Sequence, residues 1–339
     1  MAFERRILSS IFNKNKNNNI NDDDGNYKSR CSDQERNFLE NGSMFLEDLI
    51  AFSNGKYNTS IPRFSIQELS QATDGFCSHQ IVGNDENSKS QAIRDMVIKS
   101  LMSSHKNVLK LIGCCLDFDI LVSVYEHAVG VSMELLSKRL YESEGGMAEN
   151  GESSSLTWKS RLKIANDIAD VVIYMHTVFS TPVLFRDLKL SNIIIDQSRV
   201  AKLLDFFLSI LIPPRETQVE DKYMLPGFLT EKSDVYNFGV ILLELLEGKR
   251  SISSRDINQQ SLRVWVKDSV EKDQFNEFVD SRILKERGGI VQEQQLQALL
   301  ARAMRCIQEN KEDRPKMHDI TKELRRMLKS DYLSSSTQP

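Results

Sequence analysis

The stretch Val183 to Asp196, VLFRDLKLSNIIID, constrains the chain most, because it sets three polar side chains at fixed spacing directly before an apolar run. Asp187, Lys189 and Asn192 are spaced as phosphoryl transfer uses them: a carboxylate to accept the proton of a substrate hydroxyl, an ammonium to neutralise the transferring phosphoryl group, and an amide to hold a metal ion. Ile193, Ile194 and Ile195 follow and anchor such a loop to a core. A structural reading competes, since Asp and Asn readily satisfy local backbone groups by hydrogen bonding.

Composition narrows the classes. A chain of 339 residues is long enough for one large bilobal domain plus an extension. The net charge of -4, the pI near 5.9 and the scattering of 44 basic residues along the sequence give no basic field, so nucleic acid is not an expected partner. No apolar run reaches the roughly 18 residues that cross a bilayer. The longest, around Leu203 to Ile212 and Val240 to Leu246, are short or interrupted by Asp205 and Glu244. The first residues, MAFERRILSS, lack a signal-peptide pattern, and Ala2 excludes N-myristoylation. Five cysteines without metal-ligand spacing fit reduced thiols in a cytosolic protein, with adjacent Cys114 and Cys115 as core residues.

Residues 1–60 read as an extension. Phe3, Ile7 and Ile11 with Leu8 and Phe12 could form a short amphipathic helix, but one this short is marginal in water and is expected to fray. Asn13 to Gly25 is Asn- and Asp-rich and reads as a loose linker. Phe38, Leu39, Phe45, Leu46, Leu49 and Ile50 repeat at helical spacing and predict two short helices that pack on the domain that follows.

The loop at 183–196 resembles the catalytic loop of eukaryotic protein kinases, H-R-D-L-K-x-x-N followed by a short β-hairpin, with Phe185 in place of the histidine. Arg63 to Phe76, RFSIQELSQATDGF, resembles the entry to the kinase domain of plant receptor-like kinases. In those enzymes a glycine-rich loop and a lysine-bearing strand grip the ATP phosphates. Here Ile81, Val82 and Gly83 run into NDENSKS, with no G-x-G-x-x-G. Roughly two dozen residues are missing from that pattern, about two strands and their turns. Val97-Ile98-Lys99 looks like the strand that carries the ATP lysine, but Ile93, Val97 and Leu101 lie one helical turn apart and predict a helix, the family's αC. Asp95 or Met96, depending on register, then replaces the αC glutamate, and no ion pair with a strand lysine is expected. With two strands missing, αC should be thinly covered. Leu121 to Ala128 resembles the strand and hinge that carry adenine, with Tyr125 at the gatekeeper position and the backbone of Glu126 and Ala128 as nucleotide contacts.

Glu142 to Ser155 reads as a solvated loop, and Leu156, Trp158 and Arg161 open a helix that runs to His176. Ala201 to Ser209, AKLLDFFLS, stands where kinases have D-F-G: Asp205 keeps the magnesium-chelating carboxylate, while Phe207 replaces a glycine and should obstruct the active turn. No A-P-E occurs; the nearest string is Leu225-Pro226-Gly227, which leaves Arg314 without the glutamate it pairs with in the family. TEKSDVYNFGVILLELLEGK resembles the αF helix, whose aspartate, here Asp234, fastens the catalytic-loop backbone.

The resemblance covers about Arg63 to Leu328 and implies an α+β, bilobal protein-kinase-like fold with a truncated N-terminal β-lobe and an intact, mainly helical C-terminal lobe. The domains expected are an extension at 1–60, a kinase-like domain at 61–330 (lobes 61–127 and 128–330) and a disordered tail at 331–339. Within plant receptor-like cytoplasmic kinases the chain is most similar to the pseudokinases related to the HopZ-effector-triggered-immunity-deficient protein. That similarity implies an adaptor or decoy in plant immunity, without activity, cytoplasmic and held at the inner face of the plasma membrane through its partners. The implied partners are the leucine-rich repeats of an NLR immune receptor, other receptor-like cytoplasmic kinases and bacterial effectors. No cofactor is required on this reading, and Mg-ATP binds weakly if at all. The alternatives are a low-activity serine/threonine kinase and a truncated product without stable function.

Overall fold

The computed structural model describes residues 24–53, 55, 61–73, 86–126, 134–141, 156–179, 182–196, 198–220, 228–249, 264, 266–268, 275–286 and 288–335. They form an α+β protein divided into two compact units, Met1–Ser132 with Asp205–Ser209, and Met133–Leu204 with Ile210–Pro339.

The first unit begins with a 30-residue helix, α1 (Asp24–Ser53). This replaces the two short helices read from the sequence. Asn41-Gly42-Ser43 looks like a break, and a helical glycine costs about 1 kcal/mol. The Asn41 amide offsets that cost by donating to the carbonyls of Leu116 (2.9 Å) and Phe118 (2.7 Å), while Asn37 donates to Asp117 (3.3 Å). Asp24 and Gly25, expected in the linker, open the helix; residues 1–23 lie outside the described residues. α2 (Ile66–Ala72) starts from a reciprocal capping box between Ser65 and Glu68.

The periodicity at 93–101 yields α3 (Glu86–Leu101), so Val97-Ile98-Lys99 is helical. The expectation of thin cover over this helix is overturned: Ile93, Met96, Val97, Ile98 and Met102 are wholly buried, and α1 packs along α3. β1 (Leu111–Cys115) and β2 (Val122–Tyr125) pair antiparallel with an irregularity between Leu111 and Gly113. Pro62 to Phe64 runs beside β1: Cys114 N–H donates to Pro62 (3.0 Å) and Phe64 N–H to Cys114 (2.8 Å). Only glycine fits at 113, where a Cβ would lie 2.2 Å from the Phe64 ring and 2.6 Å from the Pro62 carbonyl. Leu69, Cys115, Val122 and Val124 form the local core.

In the second unit, β3 (Glu134–Leu135) leads into α4 (Leu136–Tyr141). Glu142 to Ser155 lies outside the described residues. α5 (Trp158–Thr177) is capped by Thr157 and carries wholly buried Arg161, which donates to the carbonyls of Leu156 and Leu245 and pairs with Asp280. Strands β4 (Val183–Leu184), β5 (Ile193–Ile195), β6 (Ala201–Leu203) and β7 (Ile210–Leu211) form two small sheets, β3-β5-β6 and β4-β7. β8 (Val219–Glu220) and β9 (Phe228–Leu229) form a third. α6 (Glu231–Glu247) begins at a Thr230 capping box and ends at Gly248. After α7 (Phe275–Phe278) and α8 (Ser281–Leu284), α9 (Gly289–Cys306) crosses α6 so closely at Gly239 that a Cβ there would lie 2.6 Å from that of Cys306. α10 (Met317–Ser335) packs on α5 and stays helical through Ser335, where a disordered tail was expected from residue 331.

Candidate active site

In the second unit the loop between β4 and β5 hangs on α6. Asp234, buried on that helix, accepts hydrogen bonds from the backbone N–H of Phe185 and of Arg186, each at 2.9 Å, and lies 2.9 Å from His176 Nε2. Arg186 takes a positive φ of 68°, and its carbonyl accepts from the Asn237 amide at 2.8 Å. Phe185 is buried, so an aromatic side chain fills the place of the family's histidine.

Asp187, Lys189 and Asn192 form one bonded set. The Asp187 carboxylate meets Lys189 Nζ at 2.6 Å and accepts from the Asn192 amide at 2.9 Å, and that amide also donates to the Asp187 carbonyl at 3.0 Å. A 3-10 turn over Leu190–Asn192, with Leu204 N–H donating to the Asn192 carbonyl, fixes the register of the hairpin that follows. Both ligands of Asp187 attach to Oδ2, so a carboxylate oxygen remains to accept a proton.

Arg314 is held by carbonyls instead of an acid. It donates to Gln308 (2.8 Å), Lys232 (2.9 Å) and Glu309 (3.3 Å), and its guanidinium lies 4.8 Å from the centre of the Tyr236 ring. Among the described residues no carboxylate pairs with it, and Leu225 to Gly227 lies outside them.

The remaining candidates belong to the first unit. Asp205 is exposed, and its Oδ1 accepts from the Phe207 N–H at 2.9 Å. Phe207 is not left-handed; a turn closed by Ser209 N–H on the Phe206 carbonyl (2.8 Å) accommodates it. Glu126 is committed to strand pairing: its N–H donates to the Lys110 carbonyl at 2.9 Å and its carboxylate accepts from Lys110 N–H at 3.2 Å. Ala128 lies outside the described residues.

No pair with a strand lysine is expected at α3, and the helix carries an ion pair of a different kind, within itself. Lys99 Nζ donates to Asp95 Oδ2 at 2.6 Å and to the Tyr125 hydroxyl at 2.7 Å, and Asp95 Oδ1 accepts from Phe206 N–H at 2.8 Å. Burial disfavours the Lys99 ammonium, yet Asp95 and Tyr125 outweigh it and hold the amine protonated above its ordinary range. At 3% exposure, Lys99 is closed to a nucleotide phosphate. The available signal was Asp95 four residues before Lys99 on one helical face. Asn192 in the second unit and Asp205 in the first each offer an oxygen donor of the kind magnesium prefers, but the sealed lysine does not fit the phosphate-gripping role.

Residues 72–324 match the protein kinase domain family, which agrees with the two-unit α+β fold and the loop held by α6. Similar curated proteins come from Arabidopsis thaliana. The non-functional pseudokinase ZED1 is 35% identical over 85% of this chain and 95% of its own length. The serine/threonine-protein kinase ZRK1 is 33% identical over 86% and 92%. Wall-associated receptor kinase 5 is 29% identical over 85% of this chain but 42% of its own length. The chain belongs to the ZED1-related family of protein kinase domains. Those names include both a kinase and a pseudokinase, so kinship leaves activity to the residues.

Proposed function

We propose that this protein is a pseudokinase that acts through its surface, as an adaptor or decoy in plant innate immunity that binds the leucine-rich repeats of an NLR receptor. The Asp95–Lys99–Tyr125 cluster carries the reading, because the acid and the lysine next to the D-F-F segment are buried and bonded to each other. The lack of a G-x-G-x-x-G string in the sequence and Phe207 in place of a glycine act in the same direction. Losing one preorganised donor commonly lowers turnover by about 10² to 10³. An adaptor needs a rigid, accessible surface, and α1 offers Leu39, Leu46 and Ile50 in one exposed line. Other receptor-like cytoplasmic kinases and bacterial effectors are further partners on this reading, with the protein in the cytoplasm and at the plasma membrane through them.

Incubation with radiolabelled Mg-ATP should give no autophosphorylation. In co-precipitation with a panel of NLR leucine-rich-repeat domains, the parent and Asp187→Ala/Asp205→Ala should bind alike, while Leu39→Glu/Leu46→Glu should not bind. The second reading, a low-activity serine/threonine kinase, is favoured by the intact Asp187, Lys189 and Asn192 set. Labelling that vanishes on Asp187→Asn, or NLR binding that needs both carboxylates and ATP, would replace the first reading by the second.

A further inference from the structure

Cations spread along the sequence gather in the second unit around a groove of about 550 Å³, between α4, the first two turns of α5, the β5–β6 hairpin and α10. Arg139, Lys159, Lys163 and Arg199 line it, and among the described residues no carboxylate does. Glu134 lies 3.9 Å from Arg139, and Asp167 holds Lys163 at 2.9 Å. Lys163 also donates to the Arg199 carbonyl at 2.9 Å, and Arg199, at φ 57°, sits in a turn whose N–H donates to Asp196. The side chains of Lys159 and Arg199 are exposed. Thr157 caps α5 beside them, so the positive end of a 20-residue helix adds to the field.

The rest of the lining is apolar, from Leu156, Ile164, Ile195 and Leu328. An inorganic polyphosphate would satisfy the cations and leave that floor uncovered, and a flat lipid surface would not reach into a concave groove. A ligand that satisfies both carries negative groups on each side of apolar side chains. The volume lies within the range of small ligand sites, about 300–1,000 Å³. The chain as a whole has a net charge of -4, so a groove lined by four cations stands out against it and would attract an acidic ligand.

We propose that the groove docks a short acidic segment of a partner protein, with leucine-like side chains on its floor and the flanking carboxylates on Arg139, Lys159, Lys163 and Arg199. The site stands independently of the adaptor reading, since it belongs to a folded unit whether or not an NLR receptor is the partner.

The test uses the full chain and a fluorescein-labelled peptide, EELELEE, followed by fluorescence anisotropy at physiological ionic strength. The parent should bind saturably. Lys159→Glu/Arg199→Asp should bind at least about tenfold more weakly. Aspartate is chosen at 199 because it tolerates the left-handed backbone there. Lys322→Glu/Arg326→Glu changes the charge equally on the exposed side of α10, outside the groove, and should stay within about threefold of the parent. The probe EEAEAEE should bind about tenfold more weakly than the leucine peptide. Thermal melting by circular dichroism separates lost docking from lost fold, and Lys159→Ser alone serves if the double variant melts early. Equal losses in the two double variants, equal binding of both probes, or no saturable binding would overturn the proposal. So would vesicles with phosphatidylserine that bind the parent through Lys159 and Arg199 while the peptide does not.

Discussion

Lys99 shows how a string that looks like a nucleotide-binding strand can serve another task. Sequence likeness to a nucleotide-binding strand and helical spacing conflict at this position, and spacing decides: the ammonium ends in the core, shared by Asp95 and Tyr125. Lys99→Met would strand the Asp95 carboxylate, and breaking one side of a buried pair costs about 3–5 kcal/mol, readable as a lower urea midpoint. Asp95→Leu/Lys99→Met should recover most of that loss. If the single variant is as stable as the parent, the pair is not structural. The cysteines offer a pH-dependent test. Burial pushes the Cys114 thiol up to about 11 and those of Cys115 and Cys306 up to about 12. They stay protonated in the fold while unfolded thiols ionise above pH 9.0, so stability falls as pH rises past that value. Between pH 8 and 10 each such thiol should remove about 1.4 kcal/mol. Cys306→Ala should lessen the loss by that amount in urea titrations at the two pH values.

Among the secondary-structure elements, α6 does the most to shape the catalytic loop. Asp234→Ala would leave the N–H groups of Phe185 and Arg186 without their acceptor, at about 1–3 kcal/mol each, and should speed hydrogen exchange at 183–187 while α9 stays protected. Gly113→Ala should free Pro62 to Phe64 from β1, costing about 1–3 kcal/mol through overcrowding, with faster exchange at Phe64 and Cys114. The helices α3, α5 and α6 were legible because an apolar period marks each, and caps at Thr157 and Thr230 agree with it for α5 and α6. α1 was not legible as one helix, since the bonds that carry it across Asn41 reach residues 75 and 77 positions away. Asp187, Lys189 and Asn192 could be read together because one short loop holds all three. Arg314 could not be placed, because the carbonyls that hold it have no residue signature, and the groove draws its lining from four separate segments.

Taken whole, the chain joins its N-terminal extension to the first unit: α1 buries Leu49 and Phe52, packs on α3, and bonds to the turn between β1 and β2. Fully burying one such side chain contributes about 1.5–3 kcal/mol. Removal of residues 1–60 should therefore raise binding of a hydrophobic dye and speed exchange at 93–102, with α5 and α6 little changed. Unchanged exchange at 93–102 would show that α3 does not depend on α1. The same packing has a consequence in time. α1 is synthesised before α3, and about fifty residues must follow it before α3 is complete. At about 5–20 residues per second, that helix waits roughly 3–10 s on the ribosome with its apolar face unmatched. Chaperone capture during that interval, more than the stability of the finished fold, should then set the yield of soluble protein.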